Sequence, residues 1–166
     1  MPNLCHLAWE YKRFPADGFD HDEFERMEAV MGGVDHQITT LALRCCGYDC
    51  GHSIVKRLPP IYYYSNLRHL AISDLGPATE ARAMLFPDKG QVKLESLHLD
   101  VEPLSGAELV WLDNVRQGKN KNLVVERIVL YGKLEKRIHR RHPQFRLDQY
   151  ECRVDENLAF DNFDGR

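Results

Sequence analysis

The chain has 166 residues, 43% hydrophobic and 28% charged, with 22 Lys and Arg against 25 Asp and Glu for a net charge of −3. That is the composition of one ordinary globular domain, and it excludes collagen-like and fully disordered chains. No apolar run approaches the roughly 18 residues of a membrane-spanning helix. MPNLCHLAWEY also lacks the basic stretch and apolar run of a secretory leader, so an intracellular location, cytoplasmic or nuclear, is expected.

In chain order, LCHLAW (residues 4–9) reads as a short strand. HDEFERMEAVMGG (21–33) reads as a helix with Phe24, Met27 and Val30 or Met31 on one face. Its acidic first turn suits the positive end of the helix dipole, and Gly32 and Gly33 are a stop signal. ITTLAL (38–43) is a second strand. CGHSIVKRLPPIYYYS is a weak helix that Pro59 and Pro60 break. LRHLAI (67–72) is a third strand, followed by a short helix in GPATEARAMLFPDKG that stops near Pro87. LESLHL (94–99) is a fourth strand. LSGAELVWLDNVRQGK opens with Ser105 as N-cap and Glu108 three residues on, then sets Leu109, Leu112 and Val115 at helical spacing. VERIVL (125–130) is a fifth strand, and QFRLDQYECRV (144–154) has the alternation of a sixth that closes the sheet. ENLAFDNFDGR trails off as a polar tail. These readings predict a domain over residues 1–154 and a C-terminal tail over 155–166.

The five strands share one template, L-x-x-L-x-L. It starts at Leu4, Ile38, Leu67, Leu94 and Val125, with spacings of 34, 29, 27 and 31 residues. Such connections are too long for hairpins, so neighbouring strands are expected to run parallel. The strands alternate apolar residues with His, Arg, Ser, Asp and Thr, whereas a doubly wound sheet would give nearly continuous apolar runs. One sheet face is therefore expected to be open to solvent. The fold class that follows is α/β, a solenoid with a curved parallel sheet of five to six strands inside and helices on the convex side.

MPNLCHLAWEY, NLRHLAISDL and KLESLHLDVEPL carry a resemblance. Over roughly residues 1–133 the chain resembles the irregular leucine-rich repeats of F-box-type proteins, especially the divergent fungal group. The position that is Asn or Cys in the common motif is occupied here by Lys12, Cys46, Leu75, Glu102 and Lys133, so only Cys46 fits. The F-box itself is absent from these residues. The resemblance implies a non-enzymatic protein-binding module, the substrate-recognition part of a ubiquitin-ligase adaptor. With the first template beginning at residue 4, no cap covers the first strand, and the chain is expected to be a fragment or half of an assembly.

In the solenoid the open face presents three residues per strand, with a middle column of Ala8, Ala42, Ala71, His98 and Val129. Around that shallow floor, Glu10, Arg44, His69, Ser73, His98, Asp100, Arg127 and Tyr131 are the expected partner contacts, since Tyr and Arg are favoured at interface hot spots. Charge is also segregated along the chain. Residues 10–35 are net −5, residues 115–146 net +8 and residues 148–166 net −4. Lys136, Arg137, Arg140 and Arg141 form a basic patch suited to phosphates or an acidic partner. The plainer account is the solvated face of a last helix, with Leu134 and Ile138 turned inward. Two alternatives to substrate recognition therefore stand beside it. One is an assembly factor pairing through its open N-terminal edge, and the other is nucleic-acid binding through residues 133–142.

Chemistry is sparse. G-x-S-x-G, H-E-x-x-H, P-loop and dinucleotide-binding motifs are absent. Cys45, Cys46, Cys50 and His52 cluster in RCCGYDCGH, but the second distant pair of a zinc module is missing, so the thiols are expected free. His69, His98 and Asp100 fall on neighbouring strands, where such a trio could bind a metal or move protons. Polar residues on an open face are the simpler explanation. The expectation is no catalytic residue, no metal, no cofactor, no membrane contact and no small-molecule substrate.

Overall fold

The computed structural model describes residues 5–12, 25–26, 29–30, 32–33, 36–46, 61–73, 90–100, 106–132 and 143–153. Among the described residues there are six strands: β1 (His6–Lys12), β2 (Thr40–Cys46), β3 (His69–Ser73), β4 (Val92–Asp100), β5 (Leu123–Tyr131) and β6 (Glu151–Arg153). They form one sheet in the order β1-β2-β3-β4-β5-β6, and every neighbouring pair is parallel. Helix α1 (Gly106–Arg116) crosses from β4 to β5. The protein is thus an α/β fold with a six-stranded parallel sheet.

The template explains the strands through an odd spacing. In a regular strand, residues three apart point to opposite faces. Yet Ile38 and Leu41, Leu67 and Leu70, and Leu94 and Leu97 all belong to one buried cluster. The backbone must therefore slip by one residue between them, and it does so by sharing acceptors. Thr39 and Thr40 both donate N–H to the Cys5 carbonyl at 2.8 and 3.1 Å. Arg68 and His69 both donate to the Thr39 carbonyl at 2.8 and 3.0 Å, and Glu95 and Ser96 both donate to that of Arg68 at 2.7 and 3.1 Å. Between β4 and β5, Leu94 pairs Val125 and Ser96 pairs Arg127, which brackets the same slip. A bulge of this kind, two residues opposite one acceptor, is stacked strand upon strand.

The core lies on the face that the template residues share. Leu41, Leu43, Leu70, Leu97, Leu99, Ile128 and Leu130 are all buried there. Helix α1 covers part of it with Leu109, Leu112 and Val115, the stripe its spacing predicts. The helix ends where Gly118, at φ 67°, takes the left-handed conformation that a side chain would oppose. Gly118 N–H returns to the Val115 carbonyl at 3.0 Å, and Lys119 N–H to that of Asn114 at 2.9 Å. Asn120 Oδ1 then accepts the N–H groups of Asn122 and Leu123 and turns the chain into β5.

Two expectations need correcting. Gly32 and Gly33 are helical, so the helix is not stopped by them, and of the two residues expected to complete its apolar face Val30 is 42% exposed and Met31 lies outside the described residues. The second face of the sheet is not uniformly open. Thr40–Leu43 in β2, Ser96–Leu99 in β4 and Ile128–Tyr131 in β5 are continuous buried runs. Ala42, Ala71, Val129 and Tyr131 form a second, smaller buried cluster on that side. Finally, α1 and the helical residues 25–26, 29–30 and 32–33 are the α-helical residues among those described. The expected helices at 51–58 and 76–86, Phe24, Met27 and Met31, Ser105, and the tail 155–166 lie outside the described residues.

Candidate functional site: a polar network on the second sheet face

Register converts the template into rows of side chains. Pairing aligns His6, Thr40, His69, Ser96 and Arg127 across five strands, one residue per strand. The next row is Ala8, Ala42, Ala71, His98, Val129 and Glu151. In the third, Glu10 pairs Arg44, Arg44 pairs Ser73, and Asp100 pairs Tyr131, which pairs Arg153. The Ser73 hydroxyl donates to Asp100 Oδ2 and joins the two halves of that row.

Within these rows the polar groups are chained. His69 Nδ1 lies 3.0 Å from Ser96 Oγ, Ser96 Oγ lies 3.2 Å from His98 Nε2, and His98 Nδ1 lies 2.9 Å from Tyr131 Oη. At the outer end, His69 Nε2 is 3.6 Å from Glu95 Oε2, and the other Glu95 oxygen accepts from Arg68 at 3.2 Å. His98 is fully buried, Ser96 and Ser73 are 2% exposed and Tyr131 is 4% exposed. His69 and Glu95 reach solvent. The chain of contacts therefore runs from the surface into the interior across β3, β4 and β5.

The electrostatics grade in the same direction. Burial lowers the His69 pKa below the ordinary histidine value, and the positive charges of Arg68 and Arg127 and the ring of His6 push it the same way. Glu95 opposes them. His69 is therefore neutral at pH 7. Farther along, Arg127 Nε is 3.6 Å from Glu151 Oε2, and Arg153 sits 5.7 Å from the centre of the Tyr131 ring while pairing with Glu151 at 3.3 Å. Exposed ion pairs of this kind contribute about 0–1 kcal/mol each. A shallow groove opens where β3, β4 and β5 begin, lined by Asn66, Arg68, Lys93, Glu95, Val124 and Glu126.

The eight expected contact residues therefore separate. His69, Arg44, Asp100 and Arg127 are partly exposed, and Glu10 shares their rows. Ser73, His98 and Tyr131 are buried within the chain. Ser96 and Glu95 are the members that sequence reasoning passed over. Ser96 was visible only as one more polar strand residue, and Glu95 occupies the slipped x-x pair of the template, where periodicity says nothing about direction. Lys136, Arg137, Arg140, Arg141, Cys50 and His52 lie outside the described residues, as do the side chains of Glu10, Cys45 and Cys46. Among the described residues, no group of three or more His, Cys, Asp and Glu is placed to hold a metal ion, and no helix is long and apolar enough to cross a membrane. Comparison of the chain with protein-family models, with curated proteins and with solved structures finds no match.

Proposed function

We propose that the chain is a non-enzymatic, leucine-rich-repeat-like module that binds a protein partner on the second face of its sheet. The supporting observation is the row alignment. Five consecutive strands present equivalent side chains side by side, as a solenoid presents an extended recognition surface. The contacts would come from the exposed His6 and the half-exposed residues Arg44, His69, Asp100 and Arg127, with Glu10 in the same rows. Buried Ser73, His98 and Tyr131 would hold them in place from beneath. If the F-box resemblance holds, the partner is a substrate destined for ubiquitination and this surface selects it, a step that rests on fold-level analogy.

The test is site-directed photo-crosslinking. A photoreactive residue at Arg127 is compared with one at Val110, which is 56% exposed on α1. A partner of the sheet face crosslinks from the first position alone, and Arg127→Glu abolishes its capture without changing the melting temperature. Equal crosslinking from both positions, or binding indifferent to Arg127→Glu, refutes the reading. β1 has a strand neighbour on one side only among the described residues, which supports edge pairing as the second reading. That reading expects a concentration-dependent dimer in sedimentation equilibrium.

A further inference from the structure

The distances within the polar network fix more than contact; they fix a direction. Four protons are shared among His69, Ser96, His98 and Tyr131 when both imidazoles are neutral. The carboxylate of Glu95, 3.6 Å from His69 Nε2, favours the proton on that nitrogen and leaves Nδ1 bare. A bare Nδ1 at 3.0 Å from Ser96 Oγ must accept the serine proton. The serine oxygen, having donated, accepts from His98 Nε2–H at 3.2 Å, which leaves His98 Nδ1 bare to accept from the Tyr131 hydroxyl at 2.9 Å. Every donor then points outward, from Tyr131 through His98 and Ser96 to His69. The opposite order would set an unprotonated Nε2 against a carboxylate.

We propose that these residues form a directional hydrogen-bond relay whose donor sense reverses when His69 takes up a proton. The balance is one proton gained from solvent. Protonated His69 carries N–H on both nitrogens, and its Nδ1 now donates to Ser96. Each hydrogen shifts one place along the chain: the serine hydrogen passes to His69 Nδ1, the His98 Nε2 hydrogen to Ser96 Oγ and the Tyr131 hydrogen to His98 Nδ1, and the proton gained from solvent replaces it on Tyr131 Oη. Tyr131 keeps one proton and changes from donor to acceptor toward His98. A charge change at a half-exposed histidine is thereby reported about two strands away at a buried tyrosine, without a backbone movement.

The charged and titratable groups around the relay set its working range. His69 faces Glu95 from β4, Arg127 from β5, His6 from β1 and its own neighbour Arg68. His98 has the uncharged Ala71 and Val129 beside it in its row, Glu151 at the far end of that row, and Asp100, Tyr131 and Arg153 in the next. Burial, helped by Arg68, Arg127 and His6, outweighs Glu95 in opposing the protonation of His69, so the reversal falls below the ordinary histidine value.

The experiment is a pH titration of the full chain labelled with ¹⁵N-histidine, reading ring-nitrogen shifts, which separate the two neutral tautomers from the cation. At pH 8 both His69 and His98 are expected as Nε2–H tautomers. As pH falls, His69 becomes doubly protonated and His98 crosses to the Nδ1–H tautomer with the same midpoint. In Ser96→Ala the connecting hydroxyl is gone, so His69 still titrates while His98 keeps its tautomer. Glu95→Gln, at an exposed position and independent of any packing defect at Ser96, lowers the His69 midpoint and carries the His98 transition down with it. A His98 tautomer that stays constant through the His69 titration in the unmodified chain, or that follows it equally in Ser96→Ala, overturns the proposal.

Discussion

Two adjacent threonines should respond to the same substitution with opposite signs. The Thr39 hydroxyl donates to the Cys5 carbonyl at 3.0 Å, part-buried at the start of β2. The Thr40 hydroxyl is sealed inside, with the residue 2% exposed, and its oxygen has no hydrogen-bond partner among the described residues. Valine replaces threonine with little change of shape and equal ease in a strand, so backbone and packing terms largely cancel within the pair. Thr39→Val deletes a made hydrogen bond and leaves a carbonyl with fewer donors, a loss of about 1 kcal/mol. Thr40→Val removes a hydroxyl that was stripped of water without compensation, a gain of about 1 kcal/mol from a desolvation penalty of roughly 1–3 kcal/mol. For a chain of this size each kcal/mol moves the melting temperature by about 2–4 °C. Differential scanning calorimetry of the three proteins at pH 7.5 should therefore place Thr39→Val below the parent and Thr40→Val above it. A fall in both, or a Thr40→Val that melts lower than Thr39→Val, would refute the assignment of those two hydroxyls and with it the slipped geometry that points them apart.

Three further outcomes are expected. Leu97→Ala empties a fully buried site between Leu70 and Ile128 in the middle of the sheet, so urea unfolding should show a loss of about 2–5 kcal/mol with an unchanged slope. A loss below about 1 kcal/mol would mean that Leu97 is not in the core. Gly90 has φ 88°, and a Cβ there would stand 3.1 Å from Cβ and Cγ of Tyr62, so Gly90→Ala should cost about 1–2 kcal/mol in the same assay, and a neutral result would contradict that turn. The folded pKa of His69 lies below its unfolded value of 6.5, so between the two the unfolded state holds more protons. Stability from this group is complete above pH 6.5 and is lost as pH falls through the folded value, and His69→Gln should flatten the dependence of urea midpoint on pH across about pH 7.5 to 5. A steeper dependence in the variant would reverse the sign of the argument.

Much of the sheet is legible in the sequence because the template carries two messages at once. The L-x-L half specifies alternation, and the L-x-x-L half specifies the slip, so rows such as His6, Thr40, His69, Ser96 and Arg127 follow from aligning the templates alone. The inward stripe of α1 follows from Leu109, Leu112 and Val115 in the same way. The exposure of the second face does not follow. Ala42 and Ala71 are compatible with a dry cluster or an open floor, and Ser96 and His98 look solvent-facing until their partners are known. A buried polar group differs from an exposed one by its hydrogen bonds, which depend on residues far away in sequence. The same limit holds for residues 21–33, since helical spacing identifies a stripe but does not choose between Val30 and Met31 or say what lies against it. β6, with three residues, is too short to carry a periodic signal, and its existence was legible only through the alternation of the longer segment 144–154.

The shared carbonyls separate two kinds of length in this chain. Between one slipped pair and the next, the sequence runs 34, 29, 27 and 31 residues, yet the sheet keeps a single phase throughout. What each strand must match is the one acceptor upstream of it, at Cys5, Thr39 or Arg68, and the residues in between are not counted. Insertions and deletions in the connections are therefore tolerable changes of loop and helix length. Loss of one residue between Ile38 and Leu41 is of another order, since it would leave β2 one step out of phase with β1 and β3 and exchange its two faces. Intolerance of length change is confined to a few two-residue steps, and gene-length variation should concentrate away from them.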